Sequence, residues 1–185
     1  MNEFFQMDRL IDELKKEVTL YQELFGEKEA VSKLNHSFGE AFAIFQRSMF
    51  FEIVCRISAM FDPAQTGKDK NLTLDQLIAI CGDKMTKDLH LAVEALKFDF
   101  SKTGIKPARN KIYAHYDLKI HTGKKKLASN ITYEVVWKLL EDLSALVRRL
   151  GDLCGKMPIG QVRHRRLKLP EKRNGSALVD RVSTT

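Results

Sequence analysis

Proline and glycine are scarce in this chain, four and ten among 185 residues, so little interrupts long helices. Cysteine is scarcer still. Cys55, Cys81 and Cys154 are odd in number, far apart in sequence and form no C-x-x-C pair. That argues against a disulfide framework or a spaced zinc site and fits a reducing cytoplasm. His36, His90, His115, His121 and His164 are scattered without ligand spacing, so neither a metal nor a cofactor is expected. No apolar run nears the roughly 18 residues of a membrane span, and no membrane partner is expected. Met1–Asp8 is acidic and lacks a signal-peptide pattern. There is no internal repeat, strand-rich region or glycine-rich phosphate loop.

What is present is a helical pattern with charge gathered at one end. Hydrophobic residues make up 44% of the chain, enough for one ordinary domain with a real core. Of the net charge of +7, six units fall in residues 156–185, where eight Lys or Arg face only Glu171 and Asp180. The expected division is a nearly neutral helical bundle over 1–155 and a basic, extended or partly disordered tail over 156–185.

Met7, Leu10, Leu14, Tyr21 and Leu24 repeat at helical spacing, and Gly26 can end that helix. From Lys28 to Phe61 the stripe of Phe38, Phe42, Phe45, Met49, Ile53, Ile57 and Met60 is broadened by Ala41, Phe50, Val54 and Phe61. A helix apolar nearly all round predicts a buried element in the middle of the bundle. Glu52 and Arg56 are spaced as an i,i+4 pair, and Asp62-Pro63 stops the helix. Residues 62–71 read as a polar loop. Thr73 and Gln76 form a capping box for a short helix closed by Gly82. Asp83 is the expected cap of the next helix, about 84–101. Leu118, Ile120 and Leu127 suggest a small hairpin around Thr122-Gly123. Asn130 or Thr132 starts the last long helix, with Val136, Leu139, Leu140, Leu143, Leu146, Val147, Leu150 and Leu153 on one face. The sum is an all-α bundle of five or six helices.

The most chemically loaded stretch lies between these helices: Lys106-Pro107-Ala108-Arg109-Asn110-Lys111-Ile112-Tyr113-Ala114-His115-Tyr116-Asp117. Pro107 suits a first helical turn, and Ala108, Ile112 and Ala114 can lie against a neighbour. Arg109, Asn110 and His115 are then offered to something else. Arginine is a planar cationic fork suited to phosphate, and histidine exchanges protons near neutral pH. Together they point to chemistry on a phosphodiester. The plain alternative is a surface helix, or a hydrogen-bonded cluster between helices, that happens to hold one histidine.

Arg109-Asn110 with His115 resembles the R-x(4–6)-H signature of the HEPN superfamily, small all-α domains that include many metal-independent ribonucleases of toxin–antitoxin, abortive-infection and CRISPR systems. Arg56-Ile57-Ser58-Ala59-Met60-Phe61-Asp62-Pro63, then Asn71-Leu72-Thr73-Leu74 and Leu77-Ile78, then the Arg109–Asp117 run, resemble the U-type abortive-infection (AbiU-like) HEPN family over roughly residues 10–150. The resemblance implies attack of a 2′-OH on the adjacent phosphate, leaving a 2′,3′-cyclic phosphate. In that mechanism His115 is general base or acid, Arg109 stabilises the developing charge, and Asn110 orients His115 or bonds a phosphate oxygen. Asp62, Lys111, Tyr116 and Asp117 are candidate supporting residues. Lys124, Lys125, Lys126, Arg163, Arg165 and Arg166 are candidates for the RNA backbone. HEPN toxins controlled by a nucleotidyltransferase antitoxin resemble one another in a Tyr two positions after the His. Here that position is Asp117, which departs from the pattern and weakens the expectation of that antitoxin.

On a regular helix, Arg109 and His115 are separated by about 9 Å of rise and about 240° of rotation. One chain brings both to a single phosphorus with difficulty, so a homodimer with a composite site is expected. Two functions follow from the same groove: an endoribonuclease serving phage defence, or a non-catalytic module binding RNA or a partner.

Overall fold

The computed structural model describes residues 2–114, 122, 124, 130–157 and 169–182. Among these residues the fold is all-α apart from one tiny hairpin. The helices are α1 (Glu3–Phe25), α2 (Lys28–Met60), α3 (Leu74–Cys81), α4 (Lys87–Thr103), α5 (Ile105–Ala108), α6 (Tyr133–Leu153) and α7 (Gly175–Val182). The strands β1 (Gln65–Thr66) and β2 (Asp69–Lys70) pair antiparallel.

Side-chain caps set most helix starts. Asn2 accepts from the Phe5 N–H at 3.0 Å, Thr73 from Gln76 at 3.3 Å, Thr86 from Leu89 at 3.3 Å and Thr132 from Val135 at 3.4 Å. Each satisfies a backbone donor that the helix itself leaves unpaired. Thr86, and not Asp83, therefore caps α4, because Gly82–Lys84 winds as a separate 3-10 turn. Gly82 begins that turn at φ +49°, a conformation glycine adopts without a Cβ penalty.

The main core lies between α1 and α6. Met7, Ile11 and Leu14 of α1 meet Leu140, Leu143, Val147 and Leu150 of α6, all fully buried. Their spacing of three and four residues puts each set on one face. Beside this seam Asp8 accepts hydrogen bonds from Ser144 Oγ and Arg148 Nε, both at 3.0 Å, so its buried carboxylate is not left unpaired. Trp137 stacks on Tyr133 with ring centroids 5.7 Å apart and packs against the core.

Two expectations change. α2 is not apolar-buried all round: Ile53, Val54, Ile57 and Met60 enter the core, but Phe38, Ile44, Phe45 and Phe51 stand exposed. Non-helical backbone at Phe38 (φ −146°, ψ 49°) kinks this 33-residue span, and the α2 residues that enter the main core all come from its C-terminal part. Among the described residues, a small second cluster of Leu24, Leu34, Phe42 and Val179 packs on the N-terminal part of α2. Arg56 binds chiefly Glu17 on α1, with Glu52 4.0 Å away.

The second change is in the tail. Glu171–Arg173 forms a 3-10 turn and α7 docks on α1 and α2. Val179 is buried, and Gly175 N–H donates to Glu23 Oε2 at 2.9 Å. A Cβ at Gly175 would lie 2.8 Å from Glu23 Cβ, so this position requires glycine for the close approach.

Candidate active site

The site is built where the C-terminal end of α2 meets α5. Phe61 at the end of α2 stacks on Phe100 of α4, centroids 4.1 Å apart and planes within 5°, which ties the Asp62 turn to the helix preceding the loaded stretch. The following loop closes on itself through Asn71. Its Nδ2 donates to Pro63 O at 2.9 Å and Thr66 Oγ1 at 2.8 Å, while its backbone N–H donates to Ala64 O at 2.8 Å. The segment read as a polar loop is thus an ordered hairpin loop that begins directly after Asp62.

On the facing side, α4 ends at Gly104, whose φ of +77° lies in the left-handed region favoured by glycine at helix ends. Thr103 Oγ1 donates to Phe100 O at 2.7 Å and accepts from Ile105 N–H at 3.1 Å, so the turn into α5 is fixed on both sides. Ile105 and Ala108 are buried, which gives this stretch the apolar docking face expected for it. Beyond α5 the backbone of Arg109–Ala114 winds as a π-helix, the wider i→i+5 turn that is rare overall and frequent at functional sites. The sequence pattern had implied an ordinary helix.

Arg109 Nη1 donates to Asp62 Oδ2 at 2.7 Å, and its Nε donates to Asn110 Oδ1 at 3.1 Å. The Arg109 and Asp62 side chains are 24% and 26% exposed. They are sheltered enough to be held in one geometry and open enough to be reached. A carboxylate beside a guanidinium orients it and reduces its net charge, so an incoming phosphate would share Arg109 with Asp62. Cys55 lies nearby on α2. Burial pushes its thiol up, and the positive charge of Arg109 partly offsets this.

A family model described as HEPN AbiU2 matches residues 6–159. The chain belongs to the HEPN AbiU2 family. No curated protein and no solved structure matches it. The match takes in the whole Asp62–Arg109 assembly and ends before Arg163, Arg165 and Arg166.

Within this HEPN AbiU2 domain the structure brings together three of the residues singled out from sequence, Arg109, Asn110 and Asp62. Lys111 is half-buried on the same π turn, and Lys124 is exposed. His115, Tyr116, Asp117, Lys125, Lys126, Arg163, Arg165 and Arg166 lie outside the described residues, as does most of the hairpin expected around 118–127. Asn71 and the Phe61–Phe100 stack were missed as positioning groups. Asn71 lies in a run that carries the family resemblance, but its role depends on a hydroxyl and two carbonyls five to eight residues away. Among the described residues, no group of three or more His, Cys, Asp or Glu gathers as a metal site, and no helix is long and apolar enough to cross a membrane.

Proposed function

We propose that this HEPN domain is an endoribonuclease that cleaves RNA in a reducing cytoplasm by 2′-OH attack, without a metal, as a growth-arresting agent of phage defence. One observation carries the reading: a half-sheltered guanidinium, fixed by Asp62 and Asn110, opens the unusual π turn that leads directly to His115. Arg109 stabilises charge on the phosphorane-like transition state. His115 exchanges the proton of the 2′-OH or of the leaving 5′-oxygen. Asp62 acts as a positioning residue for Arg109. Lys124–Lys126 and the basic tail bind backbone phosphates, which makes binding steeply salt-dependent.

The same reading includes a homodimer in which two copies complete one cleft. The exposed face of α2 supports it. Ile44 and Phe51 are exposed and lie on the helix side that continues through Cys55 toward Asp62. Beside them runs a groove of about 430 Å³ lined by Glu17, Ser48, Met49, Phe51, Glu52 and Ile53. Apolar surface of this kind marks contact sites more often than solvent-facing helix. Phe51→Glu should give a monomer by sedimentation and abolish cleavage; a dimer that survives the change places the interface elsewhere. An antitoxin partner belongs to the same reading.

The second function, an RNA- or partner-binding module without turnover, is favoured by one feature. Asp62 already occupies Arg109, as in a structural ion pair. The two functions separate on digestion of total RNA in EDTA with wild type and His115→Ala. The nuclease reading expects 2′,3′-cyclic phosphate ends from wild type alone. Equal degradation by both proteins, or none by either with RNA affinity intact, removes it.

A further inference from the structure

The three cysteines are scattered in sequence, but two of them meet in space. Cys81 ends α3 and Cys154 caps α6, and their sulfur atoms lie 2.8 Å apart. That is inside ordinary thiol contact and about 0.8 Å longer than a disulfide bond. Neither is a metal ligand among the described residues, and neither belongs to the Arg109 site.

We propose that Cys81 and Cys154 form an oxidation site at which a hydroperoxide closes a reversible disulfide. The two sulfurs differ in access: Cys81 is 3% exposed, whereas Cys154 is half-buried. Cys154 is therefore the thiol a small oxidant reaches, and Cys81 is the resolving thiol behind it. In the first step the Cys154 thiolate attacks one peroxide oxygen. An S–O bond forms, the O–O bond breaks, and the departing hydroxide or alkoxide takes a proton. Cys154 is then a sulfenic acid, its sulfur oxidised by two electrons and the peroxide reduced. In the second step Cys81 sulfur attacks Cys154 sulfur. The S–S bond forms, the S–O bond breaks, and hydroxide leaves with the Cys81 proton as water. A dithiol reductant reverses the change through a mixed disulfide.

The surroundings fit a pair that is silent until challenged. Burial and the adjacent Cys154 thiol push the Cys81 thiol up to about 12, against the opposing charges of Lys84 and Lys156. Cys81 Sγ also lies 3.6 Å from Leu150 O, so its proton has an acceptor while the pair is reduced. Both residues sit at helix ends followed by glycines of positive φ, Gly82 at +49° and Gly155 at +63°. Nothing lies within 4 Å of a Cβ built at either glycine. The chain can take up the last fraction of an ångström at those ends without disturbing the core. Closure would enclose residues 81–154, including α4, α5 and the Arg109 turn, in one covalent ring.

The test treats purified full-length protein with hydrogen peroxide, then alkylates, digests and weighs it. The site predicts a loss of about 2 Da, one cross-linked peptide pair joining the Cys81 and Cys154 segments, and reversal by dithiothreitol. It also predicts a Tm raised by on the order of 5–10 °C. Cys154→Ser abolishes the cross-link and the Tm rise, whereas Cys55→Ser preserves both. Oxidation that stops at a sulfinic acid on Cys154, or that links Cys55 between molecules, overturns the proposal. Because Cys154 is only partly buried at the end of α6, its serine variant should fold. If it does not, cross-linking of the wild type alone decides the matter. RNA cleavage plays no part in these readouts.

Discussion

Removing the carboxylate of Asp62 tests whether Arg109 is held or merely nearby. The pair is 2.7 Å long, with both side chains about three-quarters buried. Fully exposed pairs are worth about 0.2–1 kcal/mol, and breaking a fully buried one costs about 3–5 kcal/mol. An intermediate site should give about 1–2 kcal/mol. Asp62→Ala should therefore lower stability in urea by that amount and Tm by about 3–6 °C for a domain of this size. Part of that loss reflects Arg109 left without its carboxylate, so the single variant overstates the bond. A double-mutant cycle with Arg109→Ala isolates the coupling. Its expected value is about 1 kcal/mol or more in the stabilising direction. Asp62→Asn, which keeps an acceptor and removes the charge, should fall between wild type and alanine. A coupling within about 0.3 kcal/mol of zero would mean that Asp62 does not position the guanidinium.

Other outcomes follow from the packing and charges. Leu140→Ala empties a fully buried position between α1 and α6 and should cost about 3 kcal/mol in urea unfolding; a cost below about 1 kcal/mol would contradict that seam. Gly175→Val forces a side chain into Glu23 and Leu24 and should release α7, seen as lost amide protection over 175–182 with little change in Tm. Unchanged protection there would refute the docking. Burial lowers the Lys15 pKa, with Glu141, Asp12 and Asp8 opposing the shift and Arg148 adding to it. The folded state then gives up this proton before the unfolded chain does. The stability of wild type relative to Lys15→Met should rise as pH climbs toward about 10.4. A flat difference across that range would contradict the burial cost.

Much of the architecture was readable because periodicity and caps act locally. The heptad-like stripe of α6 and the Thr73 and Thr132 caps needed no knowledge of distant residues, and the structure has them as read. The failures were long-range. The Phe-rich pattern of α2 shows how apolar a helix is, but neither the kink at Phe38 nor which part of the span meets a neighbour, so Phe38 and Phe45, which belong to the stripe, stand exposed. α7 was hidden because eight residues with one buried valine carry little pattern beside a run of basic charge. Its docking depends on Glu23 and Leu24, some 150 positions away. In the site, Arg109 and Asn110 announced themselves by residue type, whereas Asp62 read first as a helix-end residue. Its partner lies 47 positions on, and only folding α2 against α5 brings them together. Cys81 and Cys154 taught the same lesson: spacing in the chain said nothing about their separation in space.

The most direct test of the central claim is the single-turnover rate of RNA cleavage in EDTA for wild type, Arg109→Ala and His115→Ala at equal concentration. The account expects a measurable wild-type rate, with each variant slower by at least about 100-fold while RNA binding changes little for His115→Ala. Equal rates for all three proteins would contradict it.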